Sequence, residues 1–364
     1  MIKRIICIIL IMLNLGVKAK ALDISARSAI LYEPSTRTVI FQKNSKAELP
    51  MASTTKIITA ITAIENMNVN DIVTTSKKAA DVEGSSIWLE EGEKQTLENL
   101  LFGLMLSSGN DAAIAIAEHK GYDEFIKLMN ETVKKAGAKN TILKNPNGLD
   151  EEGHYTTAYD MALISAYAMK NVKFREIVST KEKVIPWEGH QWGRTLKNHN
   201  KLLRLYEGVN GIKTGFTKKD GRCLVSSASR NGVKLICVTL NAPNDWDDHT
   251  KMLDMGFSLY KGEKITLENK TAEVSRGEEI EVTLIPERDV VLPKKEGDNI
   301  SIKYNVPLNI SAPVHTGEIK GNAEIYVNNT LVDTVNYVAG KSVEEIKIKT
   351  FKEILSGLLS ALLI

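Results

Sequence analysis

A lysine opens a stretch of chain that is otherwise uncharged. Lys56 is followed by Ile57-Ile58-Thr59-Ala60-Ile61-Thr62-Ala63-Ile64, which reads as a buried helix. Any fold that accepts it needs a core around that helix and must deal with the amine at its start. Ser53 lies three residues earlier. Residues i and i+3 share a helix face, so the spacing predicts a hydroxyl beside an amine on a rigid element. A serine hydroxyl is a weak nucleophile and needs an adjacent base; a lysine is that base only where its surroundings lower its pKa. The bland alternative is an N-cap hydroxyl with a solvated lysine one turn in. The tetrad alone does not choose between them.

The flanking chain suggests where such a helix would sit. Ser28–Tyr32 and Thr38–Phe41, separated by Glu33-Pro34-Ser35-Thr36-Arg37, fit an antiparallel hairpin. Asp71–Trp88 reads as short strands and turns. Leu97–Leu106 is an apolar helix that stops at Ser107-Ser108-Gly109-Asn110, and an alanine-rich helix follows. Tyr122–Ala136 is amphipathic and ends at Gly137; Thr157–Met169 is helical again. Gly208–Lys213 is strand-like, Arg222–Ala228 and Lys234–Leu240 form a hairpin, and Met252–Tyr260 returns to helix. Strands, helices, strands and a helix in that order predict an α+β domain, an antiparallel sheet with helices against it that joins the two ends of the segment.

From about Lys261 the pattern becomes short alternating runs between turns, a small all-β, sandwich-like domain over 261–345 with the single His315 and no expected chemistry. The tail, 346–364, carries Phe351, Ile354, Leu355, Leu358, Leu359, Leu362 and Leu363 on one helical stripe. A helix over 351–364 would be about 21 Å long, too short to cross a bilayer. It is expected to lie on the membrane surface through residues 351–364, or else to pack on the β domain or a second subunit.

The chain has 364 residues, which suits two domains. Residues 1–21 carry Lys3, Arg4, Lys18 and Lys20, an apolar run Ile5–Leu15 and Ala19-Lys20-Ala21 before Leu22, the pattern of a removable export signal. Without those four cations the chain holds 43 basic against 45 acidic side chains, and no basic track points to nucleic acid. Cys7 leaves with the signal. If Asn231-Gly232 is a two-residue hairpin loop, Ser226 faces Cys237 and Cys223 points to the other side of the sheet, which argues against a disulfide. The histidines show no metal spacing, and no cofactor is expected.

Two further stretches give Ser53 its meaning. Ser108-Gly109-Asn110 sits between helices, and Lys213-Thr214-Gly215 ends a strand-like run before Phe216-Thr217. Each is weak alone. In this order, after Ser53-Thr54-Thr55-Lys56, they match an active-serine, penicillin-reactive signature. The chain resembles the low-molecular-mass penicillin-binding proteins, serine-type D-alanyl-D-alanine carboxypeptidases, with glycine where other members carry aspartate in the middle motif. Asn147-Gly148-Leu149, His154–Ala162 and Leu240–Asn244 share the likeness, which covers roughly residues 24–260.

The resemblance implies a penicillin-binding transpeptidase-like domain over 22–260, with helices on both faces of the sheet and a helical subdomain. It implies that Ser53 attacks the penultimate D-alanine carbonyl of a peptidoglycan stem pentapeptide and that neutral Lys56 takes its proton. Lys213 would help lower the Lys56 pKa. The backbone N–H groups of Ser53 and Phe216 would form the oxyanion hole. Ser108 would relay a proton to the leaving amine. Asn110 would hold the acyl-side amide, Lys213, Thr214 and Thr217 the terminal carboxylate, and Gly215 would let substrate backbone approach the strand. Water then releases the acyl group, without a metal, and β-lactams act as covalent inhibitors. The arginine some members place after the last catalytic strand is missing; Arg222 or Arg230 is the candidate replacement. His154 is expected to be structural, and Asn198 and Asn200 to brace the site. Three rivals stand: a D,D-endopeptidase, a β-lactamase (Glu188 being a carboxylate without the expected neighbourhood), and a silent wall-binding scaffold.

Overall fold

The computed structural model describes residues 22–347. The proposed export signal and the apolar stripe of 351–364 lie outside those residues. The first body is built on a five-stranded sheet. Its strands are β1 (Ser28–Glu33), β2 (Thr38–Lys43), β3 (Val209–Thr217), β4 (Gly221–Arg230) and β5 (Val233–Leu240). Their spatial order is β2-β1-β5-β4-β3, with every pairing antiparallel. β1 pairs with β5 from Ser28↔Leu240 to Tyr32↔Ile236, so the sheet ties the start of the domain to its end. β3 lies at an edge.

The β4–β5 hairpin turns on Asn231 and Gly232, at φ 49° and 85°. Arg230 pairs with Val233, and Ser226 with Cys237. A two-residue turn with both central φ positive matches the twist of the strands. The register puts Cys223 in the core on one face and Cys237 in the core on the other. Both are free thiols, and burial raises the pKa of each.

Helices cover both faces. The larger core joins Ile30, Val225 and Val238 of the sheet to five helices. These are α1 (Lys56–Asn66), α2 (Leu97–Leu106), α3 (Asn110–Lys120), α4 (Tyr122–Lys135) and α5 (Ala158–Ala168). A sixth, α6 (Val172–Ser179), also packs there through Phe174, Ile177 and Val178. It is β-branched and short, and the sequence pattern did not single it out. Asn171 caps it, its side chain accepting from Phe174 N at 3.0 Å. α7 (Asp245–Leu259) covers the opposite face with Met252 and Leu253 against Leu31 and Leu235.

Residues beyond Lys261 form an all-β body. A six-stranded sheet faces a two-stranded ribbon, Lys261–Ile265 with Val290–Lys294. Ile265, Val290 and Leu292 of the ribbon pack on Ile325, Val327 and Val335 of the sheet.

Candidate active site

Ser53 is not on α1. It lies in a 3-10 turn, Ala52–Thr55, and α1 begins at Lys56. The correction sharpens the geometry, because side chains at i and i+3 eclipse in a 3-10 turn. The turn is held from several directions. Ala52 has a left-handed φ of 45°, a cost that surrounding bonds must offset. Its N–H donates to Asp220 Oδ2 at 3.1 Å. Thr54 Oγ1 donates to Met51 O at 2.6 Å, and Thr55 Oγ1 to Ala52 O at 2.8 Å. Gly148 closes the rear: a Cβ there would lie 2.1 Å from Ala52 O, at a φ of 83°. His154 Nδ1 accepts from Lys144 N at 3.0 Å, so Nε2 carries the proton, 2.9 Å from Thr55 Oγ1. Burial lowers its pKa to about 4. It is a neutral brace.

Lys56 is fully buried. Its Nζ lies 2.9 Å from Ser53 Oγ, 2.6 Å from Asn110 Oδ1 and 2.6 Å from Asn147 O. Two of those three atoms can only accept. The amide cannot be turned, because Asn110 Nδ2 donates to Glu83 O at 2.6 Å. A neutral amine has two N–H groups and one lone pair. With both N–H groups on Asn110 and Asn147, the lone pair faces the Ser53 hydroxyl. Burial, then the charge of Lys213, hold the Lys56 pKa well below the ordinary lysine value, against an opposing pull from Asp111.

Lys213 comes from the middle of β3 and is buried as well. Its Nζ donates to Thr214 O at 2.8 Å, and burial pushes its pKa down to about 7. Asn200 Nδ2 braces the strand through Gly211 O at 2.9 Å, while Asn198 Nδ2 holds Thr180 O at 3.0 Å. Ser108, between α2 and α3, is buried at a left-handed φ of 63°. Ser53, Ser108, Thr214, Gly215 and Phe216 line one cleft of about 530 Å³. Thr217 stands at the end of β3, its Oγ1 accepting from Asp220 N at 3.0 Å.

Two site residues also have a role within the protein. Gly215, expected to admit substrate backbone, lies against the nucleophile turn as well as lining the cleft. A Cβ would lie 3.0 Å from Ser53 N and 3.1 Å from Ala52 Cβ. Asn110, expected to hold the substrate's acyl-side amide, is itself held in place: its Oδ1 meets Lys56 Nζ and one Nδ2 N–H meets Glu83 O, and its second N–H takes no part in either bond.

The same cleft contains groups that carried no motif: His199, Lys201, Arg222, Asp245 and Trp246. Arg222 sits opposite Phe216 in the β3–β4 register. Its Nε donates to Asp245 Oδ1 at 2.9 Å, and its guanidinium lies 5.7 Å from the Trp246 ring. Arg230 is elsewhere, between the rings of Tyr206 and Phe257. The strand alternation that puts Arg222 beside Phe216 was available in the sequence; the partner on α7 was not.

A family model described as D-alanyl-D-alanine carboxypeptidase matches residues 16–244. The chain belongs to that family. A second, described as the C-terminal domain of penicillin-binding protein 5, matches residues 257–345. Within the D-alanyl-D-alanine carboxypeptidase family, the chain is 36% identical to DacF of Bacillus subtilis over 84% of its own length and 82% of the relative's. It is 30% identical to DacA of Escherichia coli, over 92% and 85%. Among solved structures it resembles the Streptomyces K15 DD-transpeptidase, at TM-score 0.62 and 33% identity, covering 65% of this chain and 98% of that one. It also resembles penicillin-binding protein 5 from Haemophilus influenzae, at TM-score 0.64 and 26% identity, over 89% and 98%.

Proposed function

We propose that this protein is a serine-type D-alanyl-D-alanine carboxypeptidase. It hydrolyses the terminal D-alanyl-D-alanine bond of peptidoglycan stem pentapeptides and is acylated by β-lactams. The observation that carries the reading is the Lys56 amine. It is buried, 2.9 Å from Ser53 Oγ, with its other two contacts on atoms that only accept.

In the first step Ser53 Oγ attacks the carbonyl carbon of the penultimate D-alanine, and Lys56 Nζ takes the hydroxyl proton. The oxyanion rests on the backbone N–H groups of Ser53 and Phe216. The Ser53 N–H belongs to the turn that Gly215 lets approach β3. As the C–N bond breaks, a proton reaches the departing amine through Ser108, supplied by Lys56 or Lys213. Water then attacks the ester and restores Ser53. Asn110 positions Lys56 in this scheme.

The substrate ends in a carboxylate, and the cleft offers a matching cation. Asp245 occupies Nε of Arg222, which leaves its two terminal nitrogens for a paired contact with carboxylate oxygens. Thr214 and Thr217 complete that recognition. A demand for a free carboxylate favours carboxypeptidase over endopeptidase activity. We place the chain outside the cytoplasm, at the outer face of the cytoplasmic membrane, through an export signal in 1–21 and the apolar stripe of 351–364. The test is incubation of the full chain with stem pentapeptide and with cross-linked dimer, followed by mass spectrometry. Loss of one D-alanine from the pentapeptide is expected; split dimers with untouched pentapeptide would overturn the reading.

A further inference from the structure

Three of the chain's four tryptophans, Trp88, Trp187 and Trp192, gather beside the catalytic cleft without lining it. The Trp187 and His190 ring centroids are 4.0 Å apart, and those of His190 and Trp192 5.9 Å. The Arg194 guanidinium lies 4.7 Å from the Trp187 ring, and its Nη2 donates to Trp88 O at 2.8 Å. One band of contacts therefore runs from Trp88 through Arg194, Trp187 and His190 to Trp192. Its two ends are open: Trp88 is 74% exposed and Trp192 66%. Among the described residues nothing covers these two large faces, and contiguous exposed apolar surface of this kind marks a binding site.

The band is built, not loose. Trp187 to Trp192 form the tip of a hairpin, Glu182–Ile185 paired with Arg194–Lys197. The tip is clasped to the loop after Trp88. Buried Arg194 pairs with both oxygens of Glu93 at 2.7 and 2.9 Å, Lys94 N donates to Glu188 Oε2 at 2.9 Å, and Gln95 Nε2 donates to Pro186 O at 2.8 Å. Trp88 itself has a left-handed φ of 64°, an outlier for a bulky residue. Its N–H donates to Ser86 Oγ at 2.7 Å. The strain holds an aromatic face out in solvent, where packing gains nothing from it.

Both segments lead into the catalytic cleft. Ser85 lines it, and three residues of chain place Trp88 within about 11 Å of Ser85. The hairpin runs from Lys197 directly into Asn198 and His199, which line the same cleft. We propose that the tryptophan band is a sugar-binding platform that holds a glycan strand of peptidoglycan while Ser53 acts on a stem. The proposal rests on the carboxypeptidase reading, in which the peptide is carried on such a strand. A pyranose ring presents a face of C–H groups, and that face packs on the electron-rich face of an indole. The exposed charges beside the band are Glu90, Glu91 and Glu188 with Lys94, a negative balance that suits an uncharged sugar face and disfavours an anionic lipid surface.

The test titrates the full chain calorimetrically with glycan strands stripped of their stem peptides. The parent is expected to bind them, and a chain carrying Trp88→Ala and Trp192→Ala to bind roughly tenfold more weakly. Tyrosine at both positions should recover much of the loss. Acylation by a fluorescent penicillin at the parent's rate checks that fold and Ser53 are intact in each variant. A parent that ignores the stripped strands overturns the inference and leaves a protein partner as the occupant; a double alanine variant that binds them as tightly as the parent overturns it too. In the activity arm, kcat/KM for D-alanine release from glycan-linked pentapeptide should fall by roughly tenfold in the alanine variant, while release from free pentapeptide stays unchanged. An equal loss on both substrates overturns the inference. If the parent cleaves neither, the carboxypeptidase reading fails instead, and the titration alone still judges the platform.

Discussion

Asn110 holds Lys56 by its amide oxygen, 2.6 Å from Nζ, while its amide nitrogen is anchored on Glu83 O. The pair fixes which way the lysine lone pair faces, and a nearly isosteric change should reverse the benefit. Asn110→Asp places a carboxylate against the amine. An adjacent negative charge favours the ammonium, so the Lys56 pKa rises and the neutral fraction at pH 7 falls. Acylation by a fluorescent penicillin is expected to slow by roughly 100-fold at pH 7. The deficit should narrow as pH rises and the amine deprotonates. A rate equal to the parent's across that range would show that Lys56 is not the base.

Gly215 is where β3 and the nucleophile turn touch. A methyl at this position meets Ser53 N at 3.0 Å and Ala52 Cβ at 3.1 Å. Gly215→Ala should push the turn by a few tenths of an ångström, at a stability cost of about 1–3 kcal/mol. Catalysis depends on tighter tolerances, and acylation is expected to fall by roughly 100-fold. Denaturant melts and acylation rates on the same sample separate the two effects.

Much of this arrangement could be read from the chain because its signals are local. The Asn231-Gly232 turn set the β4–β5 register, and that register put Cys223 and Cys237 on opposite faces. The apolar stripe of Leu97–Leu106 located α2. What escaped depended on contacts distant in sequence. The 3-10 turn at Ser53 is imposed by Asp220 and Gly148, which have no periodic signature. Arg222 acquires a direction only through Asp245, 23 residues later. Asn147 was visible as part of a motif, but its use of a backbone carbonyl on Lys56 has no side-chain trace.

Burying Lys213 has a consequence for stability that does not pass through activity. Its folded pKa, about 7, lies below the ordinary value of 10.5. Between those values the unfolded chain holds a proton that the folded chain lacks, so this site makes the fold more stable as pH rises from about 7 to 10. Below that window the fold bears the whole penalty, roughly 5 kcal/mol if the full difference is realised. Lys213→Met removes the titration. Urea melts at pH 6.5 and 9.5 should show the variant gaining most over the parent at pH 6.5, with the gap closing at the higher pH. A gap independent of pH would mean Lys213 is not discharged by burial.

Arg222 and Asp245 make a prediction about substrate choice. The guanidinium is half-exposed and pinned at Nε by a carboxylate that is itself buried. Arg222→Gln keeps hydrogen-bonding capacity and loses the charge. KM for a peptide ending in a free carboxylate is expected to rise by roughly 10- to 100-fold, the scale of losing a charge-assisted paired contact. A C-terminally amidated peptide, already lacking the charge, should be cleaved at nearly the same low rate by both proteins. Asp245→Asn keeps Arg222 but frees its aim, so it should reproduce part of the KM effect with kcat little changed. Equal sensitivity of both peptides to Arg222→Gln would instead assign the carboxylate to Lys201, the other cation of the cleft.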